Sequence, residues 1–521
     1  MPKFKPYNYD QSTMIVINFS DQLQPGTFEF AVHHLVDTRL DLSIFYPEYK
    51  NDDGGRPAYD PALLLKIILY AYSKGVTSSR EIQWHCETNI IFKALSCDTV
   101  PHYTTIAAFV SEHPKQIEHL FEQILLICDQ QGLLGKTLFA IDGCKMPSDA
   151  SKEWSGTFQE LAAKRQKIKR RIRHHLKEHQ RLDSNDTRDD ARRQRHEQAI
   201  ASLTQAHEKI DQFLKSASPR MGQGKRKKEV KSNITDNQSC KMTTSKGTIQ
   251  GYNGVATADG KHQIIVDGQA FGEGQEHHTL KPVLETVKVR LRRLNIAEDI
   301  FEQGTIVTAD TGYANEANNR YLHAQGINAY IPDNQFRQRD PKFTTQKTKY
   351  GKRKQAGRQP RQQFSANEFQ LNEKKKTCQC PAGNGLWLKS EREDENGNHK
   401  LFFEGRLTDC RRCHLSAYCM RNPISSHDRK GTGRQVSFIV SGPKKEPRYT
   451  EWMKNRVDSE RGKEIYSHRM SVVEPVFANI GSNKKLNRFS LRGKKKVQGQ
   501  WQLYCIVHNI EKLANYGNLA A

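Results

Sequence analysis

Between residues 28 and 134 the apolar positions recur at the period of a helix. One start is well marked: Asp60 is placed to cap free backbone N–H groups and Pro61 to take the first helical position, which predicts a helix over Leu63–Tyr72. Ser78 with Glu81 three residues on reads as a capping box opening a second helix through Ile82, Trp84 and Cys86. Ile117, Leu120, Phe121, Ile124, Leu125 and Cys128 make one apolar face of a third. The pattern predicts a compact helical domain. Its second and third helices form a helix-turn-helix that reads a major groove if the segment between them is compact; otherwise they are simply packed.

The period then changes. Thr137–Asp142 is a short apolar run ending in an acid, a buried strand whose last residue emerges at the sheet edge. Residues 160–215 are basic and helical, with Ile168, Ile172 and Leu176 on one stripe and Leu203, Ile210 and Leu214 on another. The polar break Asp183–Asp186 splits them into a hairpin that serves either as a DNA clamp or as a solvated spacer. Residues 247–253 and 263–267 read as strands of a hairpin with turn residues Asp259 and Gly260 between them. A helix over Leu280–Leu294, with Pro282 in its first turn, leads to Gly304–Asp310, a second apolar strand ending in an acid, and to a helix started by Asn315. Residues 335–363 are basic and poor in apolar side chains, as in a linker. Helical patterning returns over Glu464–Asn483 and Val497–Leu513, the latter burying Trp501, Tyr504, Cys505 and His508 on one face.

Composition narrows the class. A chain of 521 residues divides into several units. A hydrophobic share of 36% with 27% charged residues still permits a real core. The net charge of +24 points to a polyanionic partner, nucleic acid first. A membrane-spanning role is disfavoured, because the longest mostly apolar run, Ala62–Ala71, is well short of the roughly 20 residues a spanning helix needs. No hydrophobic signal segment follows Met1, which predicts a cytoplasmic location. Of eleven cysteines, six are scattered through apparent core segments and five cluster late, a distribution that fits reduced thiols and a metal better than disulfides.

Asp142 and Asp310 at strand ends and Glu474 in a late helix are the carboxylates best placed for chemistry, since paired Mg²⁺ ions need hard, bridging oxygen ligands. The stretches Phe139–Gly143, Thr308–Tyr313, and Tyr466–Arg469 followed by Val473–Phe477 resemble, in chain order, the three signature regions of DDE insertion-sequence transposases. Gly55–Pro61 and His102–Ala107 resemble the helical N-terminal domain of the same group, and Trp501–Leu513 its last helix. The resemblance implies an RNase H-like catalytic fold: a mixed α+β or α/β sheet with flanking helices, an all-α N-terminal domain, and inserted helical-hairpin and cysteine-rich segments. It implies Asp142, Asp310 and Glu474 as ligands of Mg²⁺ or Mn²⁺, with Tyr466 and Arg469 contacting DNA near the cleaved bond. Two departures stand out. Gly481 occupies the place where the family often has a lysine, leaving Lys484 and Lys485 as substitutes, and Arg469 to Glu474 is one residue longer than the usual spacing.

Cys378, Cys380, Cys410, Cys413 and Cys419 offer five thiols for a four-ligand site. The favoured set for structural Zn²⁺ is Cys380, Cys410, Cys413 and Cys419, with His414 as a spare ligand. Asp236, Asp267 and the adjacent His277 and His278 are left out of the catalytic set. The basic run with Lys484, Lys485, Arg488, Arg492 and Lys494–Lys496 follows the catalytic helix, so DNA phosphates are its expected contacts.

The expected organisation is a helical DNA-binding domain over 1–134, catalytic segments over 135–159, 231–334 and 464–521, a basic hairpin over 160–230, and a linker with a cysteine-rich insertion over 335–463. The expected function is binding of element ends, then metal-dependent cleavage and strand transfer on double-stranded DNA by a homodimer associated with the nucleoid. The alternatives are a nuclease on the same fold and an inactive or repurposed DNA-binding protein.

Overall fold

The computed structural model describes residues 16–49, 54, 57–184, 190–222, 227–343, 363–394, 397–420, 423–424, 428, 430–441 and 448–519. They fall into two compact units, Met1–Phe336 with Trp452–Ala521, and Arg337–Glu451.

The first unit opens with six helices, α1 (Phe28–Thr38), α2 (Pro61–Ser73), α3 (Ser79–Thr88), α4 (Ile90–Ser96), α5 (Tyr103–Glu112) and α6 (Pro114–Gln130). The caps expected from the sequence are present: Asp60 Oδ1 accepts the Ala62 N–H at 2.7 Å, and Ser78 Oγ accepts that of Glu81 at 3.5 Å. The six residues of the expected α6 face, Ile117, Leu120, Phe121, Ile124, Leu125 and Cys128, are all buried. The expected helix-turn-helix of α3 and α6 does not form, because α4 and α5 lie between them. Asn89 caps α4 by accepting from Ile91 and Phe92, and His102 caps α5 by accepting from Thr104, so the intervening segment folds as two helices of its own. Trp84 of α3 stays exposed.

A six-stranded mixed sheet follows. Its strands are β1 (Leu138–Pro147), β2 (Cys240–Thr244), β3 (Gly247–Asp259), β4 (Ile265–Phe271), β5 (Ile306–Ala309) and β6 (Ala329–Tyr330), in the order β6-β5-β1-β3-β2 with β4 also on β3. Strands β1, β5 and β6 are parallel, whereas β2, β3 and β4 join by antiparallel pairing. β1 continues five residues beyond its expected end at Asp142. It does so because β3 pairs with it from Phe139↔Asp259 to Pro147↔Gly251, while the parallel pairing with β5 ends at Ile141↔Ala309. Asp142 therefore stands where β1 loses one neighbour and keeps the other.

Two helices, α7 (Phe158–Ser184) and α8 (Asp190–Ser216), pack together through Leu161, Ile168 and Ile210. The polar break expected at Asp183–Asp186 lies largely outside the described residues, as do most of the expected linker and the motif residues Gly55 and Arg56. Helices α9 (Leu280–Arg293) and α10 (Glu316–Ala324) flank β5 in sequence. The unit closes with α11 (Glu460–Ala478), a short π-helical segment (Asn479–Asn483) and α12 (Lys494–Tyr516). From Gly499 to Ile510 α12 is buried on all sides, the expected inward residues Trp501, Tyr504, Cys505 and His508 among them. Its Asn509 side chain both accepts from and donates to the Ile265 backbone, at 2.8 and 2.9 Å, and Trp501 Nε1 donates to the Val255 carbonyl. The helix thus satisfies sheet polar groups as well as apolar ones.

The second unit holds a five-stranded antiparallel sheet, in order β7 (Gln370–Asn372), β8 (Thr377–Gln379), β9 (Gly385–Glu393), β10 (His399–Glu404) and β11 (Gln435–Ser441). Its core is small: Phe369, Cys378, Leu386, Leu401, Phe403 and Val436.

Candidate active site

The end of the β1–β5 parallel pair gathers opposite charges. Asp142 on β1 and Asp310, directly after β5, are both reached by Arg469 of α11. Its Nη1 lies 3.2 Å from Asp142 Oδ2 and its Nη2 3.5 Å from Asp310 Oδ1. Asp142 Oδ1 accepts the Gly143 N–H at 2.8 Å. Arg469 is brought here because α11 turns Arg469, Val472, Val473 and Val476 inward against β1, β3 and β5. The arginine side chain is only 6% exposed, against 23% for Asp142 and 44% for Asp310, so the pair opens to solvent on the carboxylate side.

Burial pushes the Asp142 carboxyl up to about 6; Arg469 and the Gly143 N–H pull it down, and the neighbouring Asp310 and Glu276 push it further up. Burial works against the Arg469 charge, but Asp142, Tyr466 and Asp310 outweigh it and raise that group above its usual value. Tyr466 lies one turn before Arg469, with its ring 5.8 Å from the guanidinium and edge-on to Phe336.

Glu474, the third expected acid, is on the same helix but exposed. It stands five residues after Arg469, roughly 140° around the helix. Among the described residues no three His, Cys, Asp or Glu side chains are already gathered to hold a metal ion, so Glu474 does not join the two aspartates in this arrangement. The acid that does approach them is Glu276, which sequence reasoning missed. It sits in a short turn ahead of α9, pairs with Lys145 of β1 at 2.9 Å, and covers Gly312, where any Cβ would collide with its Oε2. Its signal was faint, since a single acid in a turn without periodicity looks like ordinary surface. Only the requirement for glycine at position 312 hints that something must pass close by.

Two other acids prove structural. Asp236 accepts the Tyr252 hydroxyl and the Gly493 N–H, and Asp267 is sealed in an ion pair with Arg290.

Two regions of the chain match known protein families. A family model described as a transposase DDE domain matches residues 379–514, and one described as a transposase domain (DUF772) matches residues 17–112. Both matches support a DDE-type insertion-sequence transposase. No curated protein and no solved structure matches it. The DDE match contains Tyr466, Arg469 and Glu474, whereas Asp142 and Asp310 lie between the two matched spans. No described helix is long and apolar enough to cross a membrane.

The basic residues expected to meet DNA divide. Arg488 is exposed and pairs with Asp149 at 2.8 Å, as does Arg492. Lys485 is exposed, with left-handed backbone. Lys484 departs from the expectation: its side chain is 3% exposed and its ammonium pairs with Glu511 at 2.8 Å. Because Glu511 lies on α12 and also accepts from Asn479, Lys484 ties the π-helical turn to α12 and is withdrawn from any phosphate.

Proposed function

We propose that this transposase binds the ends of its own element, cleaves there, and joins the freed 3′-hydroxyl to target DNA, with Asp142, Asp310 and Glu474 as the metal-binding acids of an RNase H-like domain. The observation carrying the reading is that Asp142 and Asp310, on neighbouring parallel strand ends, already share one cation, the Arg469 guanidinium. The pair is thus built to face positive charge. The sheet order, with three antiparallel strands beside two parallel ones and the first acid on the central strand, supports the fold assignment.

The donor set suits a hard divalent cation such as Mg²⁺ or Mn²⁺, which when bound supplies the Lewis acidity that activates a water or 3′-hydroxyl for in-line attack on phosphorus. This requires Glu474 to be brought round from the solvent side of α11 to the aspartates, a movement of the helix as well as of the side chain. Arg469, released from the carboxylates, presents its planar fork to a DNA phosphate, and Tyr466 beside it orients the strand. Lys485, Arg488 and the basic α7–α8 pair extend the contact along the backbone, while the N-terminal helices recognise the element end. Two ends joined at once call for a homodimer on DNA, working at the nucleoid in the cytoplasm.

A joining assay tests the reading against a nuclease on the same fold. Labelled end DNA incubated with target plasmid and Mg²⁺ or Mn²⁺ should give covalent end–target products; cut ends that are never joined would favour the nuclease. The exposed position of Glu474 favours a second rival, a DNA-binding protein that does not cut, which predicts binding without cleavage under either metal.

A further inference from the structure

The second unit has a core of six buried residues, thin for a segment of its length, and yet four cysteines converge within it. Cys380, Cys410, Cys413 and Cys419 line one cavity of about 30 Å³, room for a single water-sized occupant. They arrive from separate parts of the chain. Cys380 sits in the turn between β8 and β9, where its carbonyl accepts the Gly383 N–H at 2.9 Å and its N–H donates to the Asn384 carbonyl at 2.9 Å. Cys410 and Cys413 bracket a helical turn in which the Cys413 N–H donates back to the Cys410 carbonyl, and Cys419 ends the next short helix.

We propose that these four cysteines bind a structural Zn²⁺ that staples the turn between β8 and β9 to the short helices and to the start of β11. The structure selects among the candidates. Cys378, the fifth thiol, is buried in the apolar core through its pairing with Leu386 and does not reach the cavity, and His414 is exposed outside it.

The surroundings are those of a thiolate–metal cluster. The Arg434 backbone N–H donates to Cys410 Sγ at 3.4 Å, an outer hydrogen bond of the kind that orients a metal-bound sulfur. Gly433 makes that approach possible, because a Cβ there would stand 2.6 Å from the same sulfur. Zinc with four thiolates carries a net negative charge, and Arg406 and Arg434 on the cavity wall are placed to offset it. All eleven cysteines are free, so no disulfide competes. The thiols are not yet at coordination distance among the described residues, and closing on an ion with Zn–S bonds of about 2.3 Å is what the site has left to do.

Metal analysis of the full-length protein, purified without chelator, should find about one zinc per chain. Cys410→Ser or Cys413→Ser should lower it at least tenfold, and Cys378→Ser and the Asp142→Asn/Asp310→Asn double variant should keep it. Because a cysteine variant can unfold the unit, the parent protein is also exchanged with Co²⁺, which should give the intense visible bands of tetrahedral thiolate coordination. Parent protein lacking zinc and these bands overturns the site. Zinc lost in Cys378→Ser but kept in both Cys410→Ser and Cys413→Ser overturns the ligand assignment.

Discussion

Two arginines in the first unit each sit among carboxylates, and the difference between them separates architecture from chemistry. Arg290 of α9 pairs with Asp267, Glu118 and Glu122, and both it and Asp267 are essentially sealed from water. Arg469 pairs with Asp142 and Asp310, but those acids keep solvent access. The Arg290 cluster joins β4, α6 and α9, and its centre, the Arg290–Asp267 pair, is closed to solvent. The open one has the solvent access that the proposed exchange of its cation for a metal or a phosphate requires. Residue types are the same; exposure and position at the strand ends set the roles apart.

Removing the arginine should expose the contrast most strongly. Arg290→Met leaves the buried Asp267 carboxylate without its charged partner and should cost about 3–5 kcal/mol, read as a large loss of Tm or failure to fold. Arg469→Met should leave Tm nearly unchanged while abolishing cleavage. Equal stability losses in the two variants would break the distinction.

A second sealed group gives a pH signature. His508 is fully buried, and burial lowers its pKa to about 4. Its Nε2–H donates to the Gln263 carbonyl, and Nδ1 accepts from Asn479, so a second ring proton would face a donor. The unfolded chain binds that proton from about 6.5 downward and the folded chain does not, so this contribution to stability is complete above about 6.5 and is lost as pH falls toward 4. The loss reaches about 3 kcal/mol. Denaturant midpoints across that window should fall in the parent and fall less in His508→Gln; parallel curves would contradict this.

On the open side, Gly312→Ala forces Glu276 away from the aspartates. Because the atom in the way is the end of a flexible side chain, stability should fall by no more than about 1 kcal/mol, while cleavage should fall. Unchanged Tm and cleavage would show that Glu276 shifts freely and takes no part in the site.

Local rules carried much of this fold in the sequence. Asp60 with Pro61, the apolar face of α6 and the buried face of α12 are decided within a few residues of chain, and the structure follows them. Features that depend on distant partners were not legible. β1 outruns Asp142 because β3, more than a hundred residues later, keeps pairing with it. Lys484 looks like one more cation in a basic run until Glu511 of α12 buries it. For the candidate site, the strand-end pattern pointed to Asp142 and Asp310, and the structure brings them together, while the exposure of Glu474 and the approach of Glu276 follow from packing that no spacing rule encodes.

The most direct test is cleavage of labelled DNA carrying the element's end, with Mg²⁺ or Mn²⁺, comparing the parent with Asp142→Ala, Asp310→Ala and Glu474→Ala. The account predicts that the parent cuts and that each variant binds the same DNA but cuts at least about 100-fold more slowly, the loss seen when even outer partners of a metal are removed. A Glu474→Ala variant that cuts like the parent would remove that residue from the site, and undiminished cleavage in all three would contradict the acid site altogether.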